Sequence, residues 1–313
     1  MPEITPQIAQ GIKALRERIS IPSSKLDETL NIATWNIREF GKKPRTDAAV
    51  FYIAEILSNF DLIAITELRE NLSDLKRVMD VLGPYWKVIF SDTIMDRGGN
   101  EERIGYLYDK RAVVPTGLAA EATPIRKKQK GEYLPDITWW RAPYLASFRA
   151  GKFDFVLMTA HIRWDSYENR KKPLKMLAEW VHKRQQSTFV EDKDIIVMGD
   201  FNIPSPDDEL YKVITSKGLQ MPDSLAGVHG SNLAKDKRYD QILYYRNYTK
   251  AFSDSGGVAD FFCDDWRSLF PESDYPKMSK TKFTYELSDH LPLWVQLDTW
   301  TDDERLDQII RGA

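Results

Sequence analysis

Short apolar runs bounded by turn residues recur along most of this chain. The clearest run covers residues 195–198 and is followed by Gly199, Asp200 and Asn202. Such a run is typical of a buried strand, and a glycine at its end permits a sharp turn. Comparable runs predict strands at residues 30–36, 61–66, 85–91, 103–109, 143–149, 153–160, 194–199, 240–245 and 291–297.

Between these runs, apolar residues recur at helical spacing. The pattern predicts helices at residues 7–20, 47–59, 72–82, 168–187, 207–217 and 301–311. The first helix carries Ile8, Ile12 and Leu15 on one face, and Thr301 and Glu304 form a capping box at the start of the last. Strands and helices mix without a strict βαβ rhythm, so we expect an α/β protein of packed layers.

Composition narrows the function only slightly. The chain has 313 residues, a net charge of −3 and one cysteine, Cys263, which excludes an intrachain disulfide. No apolar run approaches the roughly 20 residues of a membrane span, and the first residues show no signal-peptide pattern. We therefore expect a cytoplasmic monomer by default, with secretion open if a leader was removed. Any polyanion site must come from local basic clusters.

Polar side chains follow several of the predicted strands where the apolar residues stop. Asn36, Glu67 and His161 end three strands, Asp200 and Asn202 end a fourth, and Asp240, Asp289 and His290 stand just before two others. Taken singly, each is more typical of a turn or a structural hydrogen bond. The ends of strands in open α/β sheets converge on one crevice where ligands bind. We therefore expect these side chains to share a site.

The residue types in this set suit metal-assisted hydrolysis. Asn36, Glu67 and Asp289 offer hard oxygen ligands, which favour Mg²⁺ or Mn²⁺ over zinc. His161 and His290 are able to donate or accept a proton near neutral pH if a carboxylate orients each ring.

Ordered sequence blocks extend this pattern over residues 30–297. They are Thr34-Trp35-Asn36-Ile37-Arg38-Glu39-Phe40-Gly41, Ile65-Thr66-Glu67-Leu68-Arg69, Glu101-Glu102-Arg103, Arg141-Ala142-Pro143, Thr159-Ala160-His161, Gly199-Asp200-Phe201-Asn202, Tyr239-Asp240-Gln241 and Ser288-Asp289-His290. In this order the blocks resemble the endonuclease/exonuclease/phosphatase superfamily, and most closely its deoxyribonuclease I branch. The resemblance implies a four-layer α/β sandwich, with two mixed β-sheets face to face and helices outside. It also implies metal-dependent hydrolysis of phosphodiester bonds.

The resemblance further implies a role for each matched residue. Asn36 and Glu67 hold Mg²⁺ or Mn²⁺ with Asp289 close by, and Ca²⁺ is a supporting ion. The histidine–carboxylate pairs are His161 with Glu102, or with Glu101, and His290 with Asp240. Asp200 orients the attacking water, Asn202 and Arg141 hold the scissile phosphate, and Arg38 and Arg69 contact DNA.

The division of labour between the two histidines stays open at this point. An in-line displacement needs a base on the attacking side and an acid on the leaving side. Our working assignment is that His290 with Asp240 activates water and His161 with Glu102 protonates the leaving oxygen. The reverse assignment is the alternative.

The resemblance has gaps that bear on the substrate. Asn100 stands where pancreatic-type enzymes carry a tyrosine that enters the minor groove, and their disulfides and calcium loops have no match. Arg163 and Trp164, just past His161, are candidates to contact phosphate and base. Trp139 and Trp140 are either core residues or an exposed apolar hairpin of the kind found in lipid-cleaving members.

We therefore predict an endonuclease acting on DNA, with single-stranded DNA or RNA as further substrates. The alternative is a phosphodiesterase or phosphatase acting on a nucleotide, lipid or inositol phosphate, and a remote one is a catalytically silent binding module. The predicted parts are an amphipathic helix and linker at 1–28, the catalytic domain at 29–300, and a C-terminal helix at 301–313 packed on it.

Overall fold

The computed structural model describes residues 3–93, 101–125, 128–133, 139–190, 192–271, 273–300, 306 and 310. Asn100 and most of the predicted C-terminal helix lie outside these residues. The division into residues 1–28, 29–300 and 301–313 stays a prediction. Among the helices that the structure describes, none is long and apolar enough to cross a membrane.

Helices and strands are mixed along the described chain. The helices are α1 (Pro6–Arg18), α2 (Asp47–Leu57), α3 (Ser73–Leu82), α4 (Tyr167–Gln185), α5 (Glu209–Thr215) and α6 (Lys280–Glu286). The strands are β1 (Thr29–Phe40), β2 (Leu62–Arg69), β3 (Trp86–Phe90), β4 (Glu102–Asp109), β5 (Val114–Glu121), β6 (Lys128–Gln129), β7 (Glu132–Tyr133), β8 (Tyr144–Ala150), β9 (Phe153–Thr159), β10 (Ile195–Asp200), β11 (Asp240–Tyr244), β12 (Phe252–Val258) and β13 (Leu293–Asp298).

The strands form two large sheets and one small hairpin. The six-stranded sheet has the order β12-β13-β1-β2-β4-β3, and the five-stranded sheet has the order β11-β10-β9-β8-β5. Each sheet is mixed, because β1 and β2 are parallel, as are β9 and β10, while the other neighbours are antiparallel. Strands β6 and β7 pair only with each other.

Apolar side chains arrange these sheets as a sandwich. Ile32 and Tyr106 from one sheet and Phe148 and Met198 from the other belong to a single buried cluster between the sheets. Because neighbouring residues of a strand point to opposite faces, Trp35 instead lies in a second cluster, with helices α1, α2 and α3. A third cluster packs α4 and α5 on the five-stranded sheet. The predicted four-layer α/β sandwich is confirmed.

The elements that apolar periodicity does not predict are β5, β12, α6 and the short hairpin of β6 and β7. Strands β5 and β12 are the outer strands of their sheets, and neither contains a fully buried residue. Helix α6 is short and polar, and only Phe283 and Thr284 are buried in it. Edge strands and short surface helices are held by one neighbour rather than by an apolar stripe, so hydrophobic pattern gives little sign of them.

Candidate active site

One edge of the sandwich gathers the polar strand ends. Asn36 and Glu67 lie toward the ends of β1 and β2, and Asp200 is the last residue of β10. Strand β11 runs antiparallel to β10, so its first residue, Asp240, lies opposite Asp200 in the register. Glu102 likewise begins β4, which is antiparallel to β2. The ends of parallel strands and the starts of their antiparallel neighbours therefore meet at one place.

Asp200 is the centre of this group. Its Oδ2 atom lies 3.0 Å from Asn36 Nδ2, 3.6 Å from His161 Nε2 and 3.9 Å from His290 Nε2. Its Oδ1 atom accepts a hydrogen bond of 2.9 Å from the backbone N–H of Asn202. One buried carboxylate thus faces both imidazole rings and the amide that follows the strand.

The His161 ring is fixed from behind by Glu102. His161 Nδ1 lies 2.7 Å from Glu102 Oε2, and the other oxygen of Glu102 forms a buried ion pair with Arg141. Burial favours the neutral form of Glu102, but His161 and Arg141 outweigh it and lower its pKa to about 2. Burial also opposes charge on His161, yet Glu102 and Asp200 raise the pKa of the ring. Glu101 is exposed, so the partner of His161 is Glu102.

The second histidine has a carboxylate of its own. His290 Nδ1 lies 2.8 Å from Asp240 Oδ2, and Asp240 is completely buried. Burial favours the neutral ring, but Asp240 and Asp200 together raise the pKa of His290 to about 10. The Nδ1 atoms of both histidines are thus occupied by carboxylates, which leaves each Nε2 directed toward Asp200.

Asn36 and Glu67 form the oxygen-rich side of the site. Asn36 Nδ2 donates to Glu67 Oε1 at 3.1 Å, and Glu67 Oε2 accepts from the backbone N–H of Glu39 at 2.7 Å. Asn36 Oδ1 is buried and finds no hydrogen-bond partner among the described residues. A buried amide oxygen beside a carboxylate suits a hard divalent cation. Asp289 lies at the rim, with Oδ2 3.8 Å from Arg38 Nη1.

A second oxygen and nitrogen group also meets the distance requirement for a cation. Ligand atoms of Asp200, Asp240 and His290 lie within 4.8 Å of one another. Because His290 Nδ1 and Asp240 Oδ2 already bond to each other, a cation there would compete with that contact. Asn36 Oδ1 has no such competitor, which favours the Asn36 and Glu67 side.

The side chains of the predicted substrate-binding arginines differ in their solvent exposure. Arg141 is buried, and its Nη1 atom lacks a hydrogen-bond partner within the described part of the chain. Arg38 stacks on the Tyr285 ring at 4.1 Å and is partly exposed. Arg69 is buried and pairs with Glu39 Oε1 at 3.0 Å. The assignment of Arg69 to DNA contact stays a prediction, and in this structure its guanidinium lies beside the carboxylate of Glu39.

Two residues of the site were not singled out by sequence. Arg170 on α4 donates from Nη1 to the backbone oxygen of Asn202 at 2.5 Å, and its guanidinium stacks on Trp164 at 4.5 Å. The Tyr239 ring lies between Trp164 and His290. The available signals were weak: Arg170 belongs to a basic run that fits a solvated helix face, and Tyr239 merely precedes Asp240.

Comparison with known proteins agrees with this architecture. A curated relative, the endonuclease/exonuclease/phosphatase family domain-containing protein 1 of Bos taurus, is 24% identical over 294 residues, which cover 79% of this chain. This chain spans only 50% of that relative's length.

Two solved structures show the same fold. A mannosyl-6-phosphatase from Bacteroides thetaiotaomicron matches with a TM-score of 0.58 and 19% identity, over 86% of this chain and 99% of that one. The catalytic domain of human Nocturnin with bound sulfate matches with a TM-score of 0.57 and 15% identity, over 90% and 98% of the two chains.

The sequence model of one family accounts for most of the chain. It is described as the Endonuclease/Exonuclease/phosphatase family, and it matches residues 33–290, a range that includes Asn36, Glu67, both histidines and every carboxylate described above. The chain belongs to the Endonuclease/Exonuclease/phosphatase family.

Proposed function

We propose that this chain is a divalent-metal-dependent nuclease that hydrolyses phosphodiester bonds of DNA, in the manner of the deoxyribonuclease I branch. One observation carries the proposal. The Nε2 atoms of His161 and His290, each backed by its own carboxylate, lie 3.6 and 3.9 Å from the same oxygen of Asp200. Two opposed acid–base groups around one carboxylate suit an in-line displacement at phosphorus.

Asn36 and Glu67 would hold the cation, Mg²⁺ or Mn²⁺, with Asp289 close by. The Oδ1 atom of Asn36, which has no hydrogen-bond partner among the described residues, and the carboxylate of Glu67 beside it support this assignment. When bound, the cation neutralises charge that develops on the phosphate oxygens and favours the neutral form of a nearby imidazole. A supporting role for Ca²⁺ stays a prediction.

The buried polar groups beside Asp200 would hold the scissile phosphate. The amide of Asn202 donates from Nδ2 to the backbone oxygen of Ile162 at 2.7 Å, which fixes its direction and leaves one N–H free. Arg141 keeps Nη1 without a partner while Nη2 pairs with Glu102. Both donors are in place before substrate binds, so little reorganisation is needed as negative charge builds up.

Proton transfer completes the reaction. Asp200 orients a water molecule, and His290, held by Asp240, accepts the proton in the fraction of molecules whose ring is neutral, as the water oxygen bonds to phosphorus. The bond from phosphorus to the leaving oxygen breaks on the opposite side, and protonated His161 donates to that oxygen. The reverse assignment of the two histidines uses the same geometry.

Support for DNA as the substrate comes from the rim of the site. Exposed Arg163, two residues past His161, and partly exposed Arg38, beside Asp289, offer cations to substrate phosphates, and arginine binds phosphate with a planar fork. A catalytically silent binding module is disfavoured, because both histidine–carboxylate pairs are formed and the predicted metal ligands are retained.

The decisive experiment is nicking of supercoiled plasmid, which has no ends and therefore reports endonuclease cleavage. We expect nicking with Mg²⁺ or Mn²⁺, its loss with EDTA, and loss of activity in His161→Ala and His290→Ala. Activity that survives in both variants would sink the mechanism. Release of phosphate from a sugar, inositol or nucleotide phosphate with plasmid, oligonucleotides and RNA untouched would assign the chain to the phosphatase side of its family.

A further inference from the structure

Two tryptophans are exposed at the rim of the site. The exposed fraction is 55% for Trp140 and 58% for Trp164, although both are large apolar side chains. Trp140 immediately precedes Arg141, and Trp164 follows His161 by three residues. The neighbouring Trp139 is buried, so the aromatic pair is split between core and surface. Exposed aromatic side chains beside a polar crevice are typical of a ligand-binding surface.

The Trp164 ring is held in place rather than free. The guanidinium of Arg170 covers one of its faces at 4.5 Å, and the Tyr239 ring meets it edge-on at 5.7 Å with an interplanar angle of 79°. Since the indole is more than half exposed, the face away from Arg170 is open. A fixed indole with one open face is a stacking platform.

The same two neighbours connect the platform to the catalytic groups. The Tyr239 ring lies 5.8 Å from the His290 ring, and Arg170 Nη1 donates to the backbone oxygen of Asn202 at 2.5 Å. Trp164 therefore keeps a defined position relative to both the histidine and the phosphate corner. A group that stacks on Trp164 therefore lies beside the catalytic groups, because only the Tyr239 ring separates the indole from the His290 ring.

The second tryptophan, Trp140, holds a cation at this rim. The guanidinium of Arg163 lies over the Trp140 ring at 4.7 Å, and both side chains are exposed. Stacking on an indole restricts the long arginine side chain without using its N–H donors. Arg163 can therefore present a fixed cation to a phosphate that flanks the one being cleaved.

We propose that Trp164 stacks on an unpaired nucleobase adjacent to the scissile phosphodiester, so that the preferred substrate is single-stranded DNA. This inference rests on the proposed nuclease function. A base in a duplex already has neighbours on both faces and must be unstacked before it reaches the indole, whereas a base in a single strand is free to stack. Sugar and inositol phosphates have no flat ring for the platform.

The test uses two single-stranded oligomers of equal length. One carries normal bases in mixed sequence. The other has a tetrahydrofuran abasic residue in place of every nucleoside, so that it keeps the phosphodiesters but has no bases. The ratio of their kcat/KM values is measured with Mg²⁺ for the wild type, Trp164→Ala, Trp164→Phe and Trp300→Ala. Trp300 is the matched control, since it is 50% exposed and has a cation, Lys152, 4.7 Å from its ring, but it lies outside the site.

We expect the wild type to prefer the base-bearing oligomer by about 5- to 150-fold, which is the range that stacking of one base supplies. The ratio should fall close to one in Trp164→Ala, be mostly retained in Trp164→Phe, and be unchanged in Trp300→Ala. A wild type that cleaves both oligomers equally, or a ratio that Trp164→Ala leaves unchanged, overturns the inference but not the nuclease. A wild type that cleaves neither oligomer nor plasmid overturns the proposed function and this inference with it.

Discussion

Glu102 Oε2 lies 2.7 Å from Nδ1 of His161, and the neighbouring Glu101, which precedes strand β4, is exposed. Glu101 has a left-handed φ of +46°, so the chain turns just before the strand begins, and only the second of the two consecutive glutamates lies in the site. The carboxylate of Glu102 also forms an ion pair with Arg141. This contact makes the two glutamates a matched pair for testing the role of His161.

Glu102→Gln should lower kcat on DNA by about 100-fold or more, because His161 loses the charge that orients its ring and raises its pKa. Glu101→Gln should stay within a factor of about two of the wild type. Steady-state cleavage of plasmid or oligonucleotide measures both. Equal losses in the two variants would contradict the pairing seen here. Urea unfolding is a necessary control, since the substitution also leaves buried Arg141 without its counter-ion.

The two histidines are distinguished by the leaving group. A p-nitrophenyl phosphodiester releases an anion that departs without a proton, so a missing general acid costs little with that substrate. In the working assignment, His161→Ala loses about 100-fold or more on DNA but recovers most of its rate on the nitrophenyl ester. His290→Ala should be impaired on both substrates. The opposite result would exchange the roles of the two residues.

Cation binding tests the choice between the two possible ligand groups. Glu67→Gln should weaken Mn²⁺ binding at least about tenfold, because it replaces a charged oxygen ligand with an amide. Asp240→Asn should change Mn²⁺ affinity much less, since Asp240 bonds to His290. Titration calorimetry without substrate gives both affinities. Loss of Mn²⁺ binding in Asp240→Asn alone would place the cation at the group of Asp200, Asp240 and His290.

The layered fold is predictable where apolar residues are buried on both faces of a strand. Strand β10 is apolar from Ile195 to Met198 and is buried throughout, and its sequence alone predicts it. Strand β5 pairs only with β8 at an edge and is largely exposed. Strand β5 is stabilised by pairing with β8, which lies far away in the sequence, so the local hydrophobic pattern does not predict it.

The candidate site shows a similar division. The type of each polar residue and its position beside an apolar run indicate the chemistry, but the contact of Glu102 with His161 joins residues 59 positions apart. The family resemblance implies that pairing, and the structure chooses Glu102 over Glu101. The burial of Arg69 is likewise not visible in the local sequence, because its partner, Glu39, lies on another strand.

Stability should depend on Asp194, which precedes β10 and lies outside the site. Burial, with a smaller contribution from Asp192, raises the pKa of Asp194 to about 7, while an unfolded aspartate titrates near pH 3.9. The folded state therefore binds the proton more tightly, so this contribution to stability is lost as pH rises from about 4 to 7.

Asp194→Asn removes that dependence. The free energy of unfolding of the variant should equal that of the wild type near pH 4. At pH 8 it should be higher than that of the wild type by up to about 4 kcal/mol. Urea unfolding of both proteins at the two pH values measures the difference, and the comparison cancels the titration of all other groups. A difference that does not change with pH would show that Asp194 ionises in the folded protein as it does in the unfolded chain.

Gly199, the residue of β10 before Asp200, is under two separate constraints. Its φ is +134°, a region that other residues rarely adopt, and a Cβ atom there would lie 2.1 Å from the backbone oxygen of Ala160. Gly117 has a similar φ of +125°, but a Cβ at that position meets nothing within 4 Å. The pair therefore separates backbone strain from steric overlap.

Gly199→Ala should destabilise the protein by about 1–3 kcal/mol more than Gly117→Ala, since overlap with a backbone oxygen is relieved only by moving the strand. That movement would shift Asp200 away from His161, which directly follows Ala160, so activity should fall as well. Thermal unfolding and plasmid nicking, measured below the Tm of the weaker variant, report the two effects. Equal destabilisation by the two substitutions would mean that φ alone, and not the contact with Ala160, requires glycine at position 199.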